Sequence, residues 1–217
     1  GSTGLVDETP SLFAASARAM AATGDWLVPQ VNGLPRYDKP PLVYWLMALI
    51  HRLPGQNLWD PLGSWAAGLP SALATVGLML LLADTLRRWP QAAGGRAGVT
   101  AAALAPLAPP LVGALAFALS PLVLLWSRIG VSDALFTATL ASSLLLCWRT
   151  YADPHSRWWT PWPVLAMAVL TKGPVALVLV ALTLLLFAVL QADGSTLRRR
   201  LRPLTGLALA ALLALPW

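Results

Sequence analysis

Two adjacent acids, Asp7 and Glu8, stand just ahead of a helix-forming stretch, and a lysine, Lys39, precedes Pro40-Pro41 further along. A carboxylate beside a membrane surface can take the proton of an attacking hydroxyl, acting as general base. Neighbouring residues on a helix point about 100° apart. Adjacent acids therefore suit two jobs, one as base and the other orienting it or a partner. The simpler alternative is that both acids favour the positive end of the following helix. Lys39 lies next to a helix N-terminus, where backbone N–H groups and the ammonium act together on an anion such as phosphate, although the prolines remove some of those donors. Its alternative is an interfacial anchor. Lys172 sits between Thr171 and Gly173-Pro174, in a break between two apolar runs. Irregular backbone at that depth is tolerated only against protein or a water-filled cavity, which favours a phosphate-binding role.

Asp133, five residues after Arg128, opens another apolar run. It either caps that helix or, with Ser132 as the cap, faces the site. Tyr37, Tyr44, Trp26 and Trp45 suit an interfacial aromatic belt. Asp38 can contribute to a divalent-metal site, but no second ligand accompanies it at a recognisable spacing. His51 and His155 have no partners at metal-ligand spacing, and no zinc cluster is present. Walker, dinucleotide-binding and nucleophile-elbow patterns are absent, so no nucleotide or redox cofactor is implied.

The elements that must position these groups are membrane helices. Of 217 residues, 57% are hydrophobic and 11% charged, with a mean hydropathy of +0.66; a soluble domain carries about 25% charged residues. The class is an all-α polytopic membrane protein. The net charge of +6 comes from arginines between apolar runs, not from a basic stripe with aromatics, which argues against nucleic acid as a partner. The single cysteine, Cys147, lies in an apolar run and reads as a small buried residue. The chain starts at Gly1 without an initiator methionine and stops at Trp217 within an apolar run, which predicts a fragment with structure missing on each side.

Residues 1–64 read as a loop with two juxtamembrane helices. The first covers 9–22, with Thr9 as cap, Pro10 in the first turn, and Leu12, Phe13, Ser16 and Met20 on one face. Residues 25–39 read as irregular, and the second helix runs from Leu42 to Leu53, too short for about 30 Å of hydrocarbon. Residues 65–217 read as about five spans plus a truncated sixth. These are Trp65–Leu86, Ala97–Trp126 bent by its prolines, Val131–Tyr151, Pro161–Leu170, Val175–Leu190 and a run from Leu204. Arg87, Arg88 and Arg96, then Arg149 and Arg157, then Arg198, Arg199, Arg200 and Arg202 fall between spans on one side, which the positive-inside rule makes cytoplasmic. By parity Asp7-Glu8, Asp38-Lys39, Arg128 with Asp133, and Lys172 share the outer side. Polar groups gathered at one interface favour an enzyme. A transporter, which places such groups near the midplane, and a structural membrane subunit are the alternatives.

The runs Asp7-Glu8-Thr9, Gly24-Asp25-Trp26, Asn32-Gly33, Arg36 to Trp45, Ser127 to Leu135 and Leu170 to Pro174, with the terminal Pro216-Trp217, resemble bacterial GT-C glycosyltransferases, in the family's order. The resemblance is to the branch of aminoarabinose transferases and relatives of protein O-mannosyltransferases. It implies a GT-C transmembrane bundle with an extracytoplasmic loop, missing its first helix and C-terminal half. The implied activity is inverting transfer of a sugar from a polyprenyl-phosphate donor to a lipid or protein acceptor, at the outer face of the bacterial inner membrane. Asp7 then matches the catalytic base, with Glu8 beside it, and Lys39 matches the lysine on the lipid phosphate. Tyr37 and Asp38 line the same loop, Asp38 at the position of a metal ligand. Asp133, with Arg128, matches an active-site loop, and Lys172 matches the Thr-Lys-Gly-Pro lysine. Pro10-Ser11 replaces the Arg-Tyr pair usual in aminoarabinose transferases, so the lipid-linked donor is better supported than the sugar.

Overall fold

The computed structural model describes residues 8–37, 39–53, 65–89, 108–126 and 132–215. Helix α1 spans Glu8–Thr23. It starts before Thr9, so Thr9 is a helical residue and not the expected cap. Gly24 ends it with φ 78°, its N–H donating to Met20 O at 3.0 Å; that left-handed position suits glycine. The stretch expected to be irregular contains a small ribbon, β1 (Gln30–Val31) against β2 (Leu34–Pro35), with Val31 opposite Leu34. Asn32 and Gly33, both at positive φ, close it, as the Asn-Gly pair does in two-residue hairpins. Helix α2, Leu42–His51, has 10 residues, about 15 Å of rise, and ends before the expected Leu53.

Helices α1 and α2 zip together through one buried face each. Phe13, Ser16, Ala17 and Met20 of α1 repeat at helical spacing, and Val43, Tyr44 and Met47 of α2 meet them. Tyr44 is completely buried, its ring 5.1 Å from that of Phe13. It is therefore a core residue and not part of an aromatic belt. This core continues into Ala67, Leu135 and Leu170, which seats the pair on one end of the bundle below.

That bundle comprises α3 (Trp65–Arg88), α4 (Ala108–Ala118), α5 (Pro121–Trp126), α6 (Ser132–Ala152), α7 (Pro161–Lys172), α8 (Val175–Gln191), α9 (Gly194–Leu201) and α10 (Pro203–Ala214). Of the expected second span, the described part is two helices, because Pro121 starts a new one after Leu119-Ser120. Arg149 is not a loop residue: it is buried in the last turn of α6 and reaches α3. Helix α9 was not expected, yet its signals are present: Asp193 as N-cap, Leu197 and Leu201 at i, i+4, and Pro203 opening α10.

Contacts between helix ends set the helix directions, α6 running antiparallel to α7 and parallel to α3. Lys172 at the end of α7 meets Asp133 at the start of α6. Arg149 at the far end of α6 meets Asp84 at the end of α3, at 2.9 Å. A second core, including Cys147, Trp162, Leu165, Val180, Leu197 and Leu201, fills the arginine-rich end. Among the described residues one helix, Ala67–Arg88, is by length and composition apolar and long enough to cross a membrane. Helix α7, with 12 residues, rises only about 18 Å, and it packs against α6, α8 and α10. Outward faces of α8 and α10 are bare leucine and valine, Leu182, Leu185, Leu186, Val189, Leu190, Leu204 and Leu212 among them.

Candidate active site

The α7–α8 break is built by Gly173, whose φ of 77° a side chain would strain. Pro174 then starts α8. The break leaves Lys172 on the last turn of α7, free to reach sideways. Its Nζ donates to Asp133 Oδ1 and lies 5.4 Å from the centre of the Phe136 ring. The ammonium is thus held by a carboxylate and an aromatic face from the first turns of one helix. Ser132 starts α6 and is buried, which leaves Asp133 facing outward to the lysine.

The Lys39-Pro40-Pro41 segment comes to the same place. A Cβ placed on Gly173 would sit 4.0 Å from Pro40 Cγ, so the loop that carries Lys39 rests on the break that carries Lys172. Pro40 and Pro41 are buried and Lys39 is half-buried, while Tyr37 stands 71% exposed.

Loop groups whose role the sequence did not disclose hold this approach. Asp25 Oδ1 accepts from the N–H groups of Leu27 and Val28 at 3.1 and 3.4 Å, and Oδ2 from Gln30 Nε2 at 3.4 Å. Asp25, an acid in the polar stretch, is therefore a turn-builder. Its position after a helix-ending glycine was the available signal. Trp45 Nε1 donates to Trp26 O at 2.7 Å, and the Arg52 guanidinium lies 5.3 Å from the Trp26 ring centre. Together these fix the loop to α2.

A cavity of about 280 Å³ opens beside Asp133. Its wall is mostly apolar, with Leu78 of α3, Phe117 of α4 and Leu122 and Val123 of α5, and Thr75 and Thr137 add hydroxyls. Of its lining residues only Asp133 is charged, and its carboxylate is paired with Lys172, so the cavity is an apolar space with that ion pair at its edge. Among the described residues no three His, Cys, Asp or Glu side chains are grouped to hold a metal. Asp7, Asp38 and Arg128 lie outside the described residues, as does the terminal Pro216-Trp217, and Glu8 is described only as the first residue of α1.

This arrangement is an all-α polytopic membrane fold of the GT-C type. It matches crystal structures of ArnT from Cupriavidus metallidurans in the apo state and bound to undecaprenyl phosphate, with TM-scores of 0.84 and 0.82 at 23% identity. The matches cover 100% and 99% of this chain and 37% of each of those chains. The family model for dolichyl-phosphate-mannose-protein mannosyltransferase matches residues 108–217, and the chain belongs to that family. It is also 31% identical over 224 residues to the undecaprenyl phosphate-alpha-4-amino-4-deoxy-L-arabinose arabinosyl transferase of Pseudomonas aeruginosa (strain LESB58), covering 98% of this chain and 35% of the relative. An uncharacterized protein of Aquifex aeolicus (strain VF5) is 31% identical over 161 residues, covering 74% of this chain and 32% of that protein. The chain thus spans about a third of the length of these relatives.

Proposed function

We propose that this chain carries the donor-binding part of an inverting glycosyltransferase. The enzyme moves a sugar from a polyprenyl-phosphate donor to a lipid or protein acceptor, on the extracytoplasmic side of the bacterial inner membrane. The observation that carries this reading is the meeting of Pro40 with Gly173, which brings together the two segments that hold Lys39 and Lys172. The donor class comes from the names of the relatives, which specify undecaprenyl phosphate. The side comes from the arginines Arg87, Arg88, Arg198 and Arg199, which all lie at the opposite end of the helices.

In this reading the acceptor hydroxyl attacks the anomeric carbon and the bond from that carbon to the phosphate oxygen breaks. Asp7 takes the hydroxyl proton, with Glu8 orienting the base or its partner. Polyprenyl phosphate leaves with the bonding pair, and Lys39 and Lys172 offset the charge that grows on its oxygens; Tyr37 borders the same headgroup. The first prenyl units lie in the cavity beneath Asp133. Asp38 is the position at which a divalent ion would be held, adding further positive charge beside the phosphate.

The test is transfer of radiolabelled sugar from its polyprenyl phosphate by the full-length protein. Asp7→Asn is expected to lower kcat by at least about 100-fold, the range of a lost general base, and Lys39→Ala to raise the donor KM. Full transfer by Asp7→Asn would sink the base assignment, and an unchanged donor KM in Lys39→Ala would remove the phosphate contact. Running the assay with aminoarabinose and hexose donors in parallel identifies the sugar.

A further inference from the structure

At the end of the bundle opposite Lys172, the arginines divide into two kinds. Arg149 bonds Thr85 Oγ1 and Leu81 O and pairs with Asp84. Arg87 and Arg88 also pair with Asp84. Arg200 donates to Tyr151 O at 2.7 Å, and the Arg202 guanidinium lies 5.5 Å from the Trp158 ring centre. Each of these has an internal task. Arg157, Arg198 and Arg199 are exposed, and their side chains make no hydrogen bond or ion pair among the described residues.

Helix α9, which presents Arg198 and Arg199, is held in a fixed orientation. Leu197 and Leu201 bury its inner face. Asp193 caps it by accepting from Thr196 N at 3.4 Å, and also accepts from Tyr151 Oη at 3.0 Å. Trp162 Nε1 donates to Leu201 O at 3.2 Å. Asp84 is occupied by three arginines of its own. Around α9 the acids are Asp153 and Asp193, against Arg157, Arg198, Arg199, Arg200 and Arg202, so the outward charge stays positive. On either side of α9 the surface is bare hydrocarbon, with Val189 and Leu190 closing α8 and Leu204 opening α10, each at least 68% exposed.

We infer that α9 and the neighbouring Arg157-Trp158 turn bind the phosphodiester headgroup of an anionic phospholipid, whose acyl chains lie along the bare faces of α8 and α10. The complementarity has two parts. A fixed cationic surface takes the phosphate, and apolar walls leading into it take the chains. A nucleic acid or an acidic soluble peptide would use the first part and leave the second uncovered. The site is separate from the donor site and does not rest on the transferase reading.

The probe is phosphatidylglycerol, offered with equimolar phosphatidylcholine to the full-length protein and read by native mass spectrometry. Each arginine at a membrane surface contributes about fivefold to anionic lipid binding. The double variant Arg198→Gln/Arg199→Gln should therefore lose about 25-fold of the preference for phosphatidylglycerol. Those side chains have no hydrogen-bond or ion-pair partner among the described residues, so the fold should be unaffected. Arg87→Gln/Arg88→Gln should keep the preference, and so should Lys39→Ala/Lys172→Ala, which alters the donor site alone. An undiminished preference in the α9 double variant, or none in the wild type, overturns the proposal. So does equal competition by glycerophosphoglycerol, the headgroup without its chains, because the surface would then recognise a soluble anion.

Discussion

Lys172, on the last turn of α7, donates to Asp133, on the first turn of α6, and the two are 39 positions apart in sequence. Their side chains are 27% and 41% exposed, so the pair adds at most about 1 kcal/mol to stability. A lysine ammonium has three donors, and one bond to Asp133 leaves the others for a phosphate. Lys172→Ala should therefore raise the donor KM by about 10- to 100-fold, the range of a lost hydrogen bond to a charged group, with little change in Tm. Asp133→Asn, which keeps the side-chain shape but loses the charge that aims the ammonium, should give a smaller rise. A fall in Tm with unchanged KM would make the pair a structural strut.

Trp162 lies flat against Gly206. A Cβ on Gly206 would fall 1.8 Å from the indole Cε2, and Trp162 is buried with its Nε1 bonded to Leu201 O. The ring has little freedom to move aside. Gly206→Ala should destabilise by about 1–3 kcal/mol through overpacking, seen as a lower Tm in detergent. Pairing it with Trp162→Leu, which vacates the space, should recover part of the loss. A neutral Gly206→Ala would mean that α10 can shift away from α7.

How far the site was legible depends on the range of the interactions that build it. The apolar runs announced the helices directly, since span length follows from bilayer thickness. The Asn32-Gly33 turn and the Gly173 break were also local signals. Parity of the spans put Lys172 and Asp133 at one interface, but their pairing depends on how α6 packs on α7, and no local pattern encodes that. Tyr44 illustrates the ambiguity: a phenol suits both an interface and a core, and only Phe13 on a different helix decides between them. Arg149 misled for a similar reason. An arginine at the end of an apolar run reads as a loop charge until Asp84 and Thr85, from another helix, supply its partners.

Those partners make Arg149 a clamp between α6 and α3. Its Nε and one terminal nitrogen donate to Thr85 Oγ1 at 2.8 and 2.6 Å, and the opposite terminal nitrogen lies 2.9 Å from Asp84 Oδ2. Lysine cannot reproduce this fork. Arg149→Lys should cost about 2 kcal/mol, between the values for exposed and buried ion pairs, and Arg149→Ala more. Because the clamp is at the end remote from Lys172, kcat of the protein that remains folded should be unchanged. A lowered kcat at unchanged Tm would instead indicate coupling between the two ends.

His51 makes the stability of the α1–α2 pair depend on pH. It is 4% exposed, and neither ring nitrogen has a hydrogen-bond partner among the described residues. Burial, and then the positive charge of Arg18, hold its pKa below the usual 6.5. As pH falls below about 6.5 the unfolded chain takes up a proton that the folded chain resists. Stability is therefore retained above that pH and lost progressively below it, until the folded form is also protonated. The wild-type Tm should fall between pH 7.5 and pH 5.5, and His51→Phe, which keeps a ring but cannot titrate, should fall less over the same interval. If both fall equally, the proton is taken up elsewhere and the neutral, buried imidazole is not the source of the acid sensitivity.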